Sequence, residues 1–186
     1  VKMKKLAGNR SASYNREDTA ITAIQRSDEA PSDTVMEDTN SLISTSASGK
    51  PVYAWFEDGT IKWWSDAEYV NASSDLSYLC YNMSKLTDIS GLATWDVSNV
   101  TYMDAMFSEC SQLTDLTPPA NWNTSNVTHM KSMFYDCSQL TDLTPLANWK
   151  TGKVTNMREM FSGCKQLTDL AGLANWDTSK VTNMDG

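Results

Sequence analysis

Apolar residues in the second half of the chain recur at a fixed step. Trp95, Trp122, Trp149 and Trp176 are separated by 27 residues, as are Phe107, Phe134 and Phe161. Cys110, Cys137 and Cys164 keep the interval, and so do Val100, Val127, Val154 and Val181, each followed three residues on by Met103, Met130, Met157 or Met184. A period in the twenties with apolar residues close to every third position predicts an α/β repeat solenoid, a leucine-rich-repeat-like stack of 27-residue units. Within one unit, Val127, Met130, Met133, Phe134 and Cys137 fit one face of a helix, and Leu140-Thr141-Asp142-Leu143 is short enough for the strand. The first copy is degenerate but stays apolar: Leu76, Leu79, Cys80, Met83, Leu86, Ile89 and Leu92 fall in register with the later copies.

Ahead of the repeats, Pro51–Glu57 and Thr60–Trp64 flank Asp58-Gly59, the dipeptide that most strongly marks a two-residue hairpin. With Trp55, Phe56, Trp63 and Trp64, this hairpin is expected to cap the N-terminal end of the repeats. Residues 1–50 are polar, with short β-compatible runs at Ala20–Ile24 and Ser41–Ser44 and a loop-like stretch around Pro31. They read either as a linker or as an extended β segment. The expected organisation is therefore residues 1–50, a hairpin cap over 51–73, and about four repeats over 74–186. The chain stops just after a new copy begins, and no capping repeat closes it, which suggests a fragment of a larger protein.

Two features carry a family resemblance. The pattern quoted by Val127–Trp149 and again by Val154–Trp176, with PVYAWFEDGTIKWWSDA before the repeats, resembles the BspA-like leucine-rich-repeat surface proteins of bacteria. Pro119, where other copies have Leu92, Leu146 or Leu173, departs from it. The resemblance implies a cell-surface or secreted location in a modular protein, and adhesion or host-protein binding. LTDLTPLANW also resembles the convex segment of internalin repeats, and that register would move the strand to about Met133-Phe134.

Charge and composition narrow the function. The 23 acidic residues against 15 basic ones give a formal charge of −8, which argues against nucleic acid as a partner. No run is long enough to span a membrane. The cysteines, one per copy and without a C-x-x-C pair, make no zinc ligand set and are expected to be buried thiols. Asp88, Asp115, Asp142 and Asp169 recur in a column, but lack the oxygen density of a calcium loop and the unequal environments of a catalytic pair. The lone His129 has no nucleophile assigned to it. No catalytic residue, metal ligand or cofactor is expected.

Columns that vary between copies are where a partner would be read. Tyr102/His129/Asn156, Asp104/Lys131/Arg158 and Ser108/Tyr135/Ser162 change while the apolar columns do not. Aromatic and arginine side chains anchor interfaces, so Tyr102, His129, Tyr135 and Arg158 are the candidate contact set. The expected function is a non-enzymatic surface module binding a protein or glycoprotein, the alternative a structural spacer that presents other domains.

Overall fold

In the computed structural model, residues 6–7, 17–44 and 50–186 are described. β1 (Ala23–Arg26) is followed by a five-residue helix, α1 (Asp33–Glu37), then β2 (Tyr53–Glu57) and β3 (Thr60–Trp64). The two-residue strands β4 (Val70–Asn71) and β5 (Trp95–Asp96) come next. The hairpin forms where Asp58-Gly59 places it, with φ of 47° and 79° at the two turn residues and Glu57 opposite Thr60. Positive φ at both central positions matches the right-handed twist of the flanking strands. β1 adds to the far side of β3 in parallel, which gives the order β1-β3-β2. The strand starts at Ala23 rather than Ala20, and Leu42 bridges Tyr53 from the other edge.

The expected α/β leucine-rich-repeat-like solenoid is not what the chain forms. No α-helix falls among residues 74–186, the strands are few and short, and most of this region is coil and turn. Val127–Cys137, expected as a helix, is a run of turns, and Leu140–Leu143 is not a strand. The alternative register fails as well, since Met133-Phe134 also lies among turns. The physical reason is visible in the backbone. Ser132 and Asp136 have φ of 52° and 53°, as do their counterparts Ala105 (50°), Glu109 (62°) and Glu159 (56°). Left-handed residues four apart cannot belong to a right-handed helix.

Tandem four-residue turns take the helix's place. Met133 N–H donates to Met130 C=O, Tyr135 to Ser132, Cys137 to Phe134 and Leu140 to Cys137. A chain of such turns puts an apolar side chain inward about every third residue, the spacing that imitates a helix face. Short 3-10 turns follow at Ser90–Leu92, Pro118–Asn121, Thr144–Leu146 and Ala171–Leu173.

The 27-residue period nevertheless has a structural meaning. Met103, Ala105, Phe107 and Glu109 donate their N–H groups to the carbonyls of His129, Lys131, Met133 and Tyr135 at 2.7–3.0 Å. Equivalent bonds link the neighbouring segments, and single parallel bridges join Asp75, Tyr102, His129, Asn156 and Asn183 in turn. Adjacent segments are thus held side by side by backbone bonds at every second residue. Phe107, Phe134 and Phe161 stack face to face at 5.7 and 5.6 Å, and Trp122, Trp149 and Trp176 at 6.2 and 6.3 Å.

Polar side chains continue the ladder. The hydroxyls of Thr128, Thr155 and Thr182 donate to the carbonyls of Thr101, Thr128 and Thr155. The core runs from the sheet into these segments without a break, from Ile24, Ile61 and Trp63 to Met157 and Met160. Trp63 Nε1 donates to Gly91 C=O at 2.9 Å, and Ile24 N–H to Asp88 C=O at 2.8 Å. Gly91 has to be glycine, because a Cβ there would stand 2.7 Å from the Gln25 backbone.

Candidate functional site

The cysteine column shows first what is not available for chemistry. Cys80, Cys110, Cys137 and Cys164 are buried, and none is in a disulfide. Cys137 and Cys164 donate S–H to the carbonyls of Phe107 and Phe134, and Cys110 to that of Cys80, all at 3.1 Å. Burial pushes the Cys137 thiol well up, and that of Cys164 up to about 11. A thiol held protonated is neither nucleophile nor metal ligand at neutral pH.

The aspartate column has a backbone role. Asp88, Asp115, Asp142 and Asp169 each accept the N–H two residues on through Oδ1, at 2.7–2.8 Å, an Asx turn that leads the chain into the following 3-10 turn. Asp88 also accepts the Gln25 amide at 2.6 Å. Burial raises its carboxyl, but the bonds from Gln25 and Ser90 outweigh this and hold it below the usual range.

Of the variable columns, the structure brings Tyr102 and His129 together. Their rings lie 4.9 Å apart, on adjacent segments joined by the bridge between those same residues. Tyr102 is exposed, and His129 is half-buried with Nδ1 2.9 Å from the Thr128 hydroxyl. Two residues along from Tyr102 begins a shallow groove of about 210 Å³, lined by Asp104, Glu109, Lys131 and Tyr135 from the later segments and by Tyr78 and Tyr81 from the first.

The groove floor follows from the turns: the left-handed residues Tyr78, Ala105, Ser132 and Glu159 form one column across it. Asp104 accepts the Lys131 N–H at 2.8 Å. Burial raises its carboxyl above the usual range, against the pull of that bond and of the nearby His129 and Lys131 charges. Arg158 does not reach into the groove. It pairs with Glu159 at 2.9 Å, and Glu159 is the residue that lines it.

Tyr78 and Tyr81 were not in the expected set. Their rings meet edge to face at 5.6 Å, and Tyr81 donates its hydroxyl to Glu109 at 2.7 Å. The signal for Tyr81 was present in the period, since it stands two copies before Tyr135 in the same column. Its copy reads as a degenerate core segment, which hides the match.

A family model covers residues 74–186, the region of the 27-residue period, under the description Mycoplasma protein of unknown function, DUF285. The chain belongs to this family. The match includes every residue of the groove and leaves the three-stranded sheet outside. No curated protein and no solved structure matches the chain. Among the described residues, no helix is long and apolar enough to cross a membrane.

Proposed function

We propose that this DUF285 chain is a non-enzymatic binding module of a BspA-like bacterial surface protein, located at the cell surface or secreted. Its partner is a protein or glycoprotein of a host or neighbouring cell. The observation that carries the reading is the aromatic face: Tyr78, Tyr102 and Tyr135 are 39%, 44% and 37% exposed on neighbouring segments whose other large apolar residues are mostly buried. Exposed tyrosines on a rigid backbone give contact area at low entropic cost, and a shallow groove suits a macromolecular surface better than a small molecule.

Arg158 takes a lesser role than the aromatics, because its charge is already shared with Glu159. The buried thiols and the turn-forming aspartates support a module without catalysis, since both columns are occupied with holding the backbone.

The test is saturable binding of the purified chain to a panel of extracellular-matrix and plasma glycoproteins, beside a folded Tyr102→Ala/His129→Ala/Tyr135→Ala variant. Binding by the parent and its loss in the variant would support the reading. Equal binding by both would remove this face from the account, and no saturable binding by the parent would favour the spacer.

A further inference from the structure

A second recess lies away from the aromatic groove, in the loop after Trp149. Three of the four copies build this loop alike. Asp96, Asn123 and Asp177 each accept, through Oδ1, the N–H of the serine two residues on, Ser98, Ser125 and Ser179, at 2.9–3.2 Å. The copy at 149–153 departs at both positions. Lys150 replaces the accepting side chain and Gly152 replaces the serine.

The loop therefore loses its local turn bond and one side chain, and a cleft of about 470 Å³ opens there. That volume is within the roughly 300–1,000 Å³ of small-molecule clefts. Gly152 is open enough for Asp177 to lean over it, since a Cβ would come 3.0 Å from Asp177 Oδ2.

The walls carry Lys150, Lys153, Asn148, Asn175 and Asp177. Lys153 Nζ is 2.7 Å from Asn126 Oδ1, which fixes its position at the rim. Lysines and amide groups make most of the wall a donor surface, and Asp177 adds one acceptor. Two lysines against Asp177 leave one net positive charge, which a monocarboxylate matches and a phosphate, at roughly −1.5 to −2, exceeds. A neutral sugar would leave the lysine charges unused.

From this donor set we infer that the cleft binds an acidic saccharide, its carboxylate on Lys150 and Lys153 and its hydroxyls shared among Asn148, Asn175 and Asp177. The site is separate from the aromatic groove and does not depend on the partner proposed for it.

The test is titration of the ¹⁵N-labelled chain with sodium glucuronate, with glucose and inorganic phosphate in parallel, following amide shifts. The comparison variant is Lys150→Asn/Gly152→Ser, which restores the Asn-Thr-Ser of residues 123–125 and so keeps a turn the fold already uses. Saturable shifts at residues 148–153 and 175–177 with glucuronate are expected. Binding of glucose, and of glucuronate to the variant, should be at least about 10-fold weaker, the factor that loss of a charge-assisted hydrogen bond produces. Phosphate binding as tight as glucuronate would overturn the proposal in favour of a plain cation site. Absence of saturable shifts, or equal affinity in the variant, would also overturn it.

Discussion

The indole Nε1 of Trp149 donates to the carbonyl of Pro119 at 3.0 Å, across 30 residues of sequence. Trp122 and Trp176 make the same bond to Leu92 and Leu146 at 3.1 and 3.0 Å. Because the acceptor is a main-chain carbonyl, Pro119 serves as well as leucine, and its departure from the repeat costs this ladder nothing. Trp149→Phe removes the donor and one of the two bonds that the Pro119 carbonyl accepts, the other coming from the Trp122 N–H at 3.1 Å, for an expected loss of about 0.5–1.5 kcal/mol. Trp95 differs: its buried Nε1 has no partner among the described residues, and its ring stands edge-on to Trp63 at 6.3 Å. Trp95→Phe discards an unsatisfied donor and should cost less than Trp149→Phe by about 0.5–1.5 kcal/mol, the worth of one hydrogen bond. Urea unfolding of the two variants checks the difference.

The left-handed columns are open to a direct test. Ala105 holds φ of 50°, which costs an L-residue about 1–2 kcal/mol relative to the right-handed region. Ala105→Gly should therefore be neutral or stabilising by up to ~1 kcal/mol, although glycine is usually destabilising. Gly163→Ala should act in the opposite direction, by about 1–3 kcal/mol. Its φ is 78°, and a Cβ there would stand 2.8 Å from Asp136 Oδ1 and 3.0 Å from Asp136 Cα. Thermal unfolding of both variants tests the pair, and opposite shifts in Tm are the expected result.

These columns also mark where the sequence was legible and where it was not. The apolar columns from Val100 to Cys164 are legible as core because they keep their residues from copy to copy and stay apolar where the first copy changes identity, at Leu76, Cys80 and Met83. The hairpin was equally plain, since Asp58-Gly59 has a conformational reason to be where it is. The helix expected at Val127–Cys137 is not there, because tandem four-residue turns and a helix both point every third or fourth side chain inward. The sign that separates them is a positive φ, and glycine is the residue that advertises one. In that copy the positions are Ser132 and Asp136; the cue stands only in later copies, at Gly163 and Gly186. Of the site, Tyr102 and His129 were visible as changes within a column, while Tyr81 was masked by the divergence of its copy.

Each recurring aspartate closes an Asx turn. Asp142 accepts the Thr144 N–H at 2.8 Å and its hydroxyl at 2.9 Å. Asp142→Ala removes these acceptors and should lose about 0.5–1.5 kcal/mol, and Asp142→Asn, which keeps an Oδ1 acceptor, should retain most of it. If chemical denaturation shows Asn and Ala to be equally damaging, the carboxylate's charge rather than its turn bond is what counts.

The thiol column sets an alkaline limit. The Cys164 thiol stays protonated in the folded chain up to about 11, whereas once unfolded it ionises near the ordinary value of 9.0. Between these values the unfolded chain has released a proton that the folded chain still holds, so stability falls as pH rises. Below 9 the contribution is complete. Cys164→Ala should lower stability at neutral pH by loss of packing, yet flatten the decline between pH 9 and about 11. Tm measured across that window in parent and variant gives the comparison, and parallel slopes would contradict the assignment.

The most direct measurement is the affinity of three proteins for whichever glycoprotein the parent binds: the parent, Tyr102→Ala/His129→Ala/Tyr135→Ala, and Lys150→Asn/Gly152→Ser. The account predicts that the aromatic variant loses at least ~10-fold in affinity, as expected when interface anchors are truncated, while the cleft variant keeps the parent's value. Unchanged affinity in the aromatic variant, with its fold intact, would contradict the central claim that Tyr102, His129 and Tyr135 form the binding face.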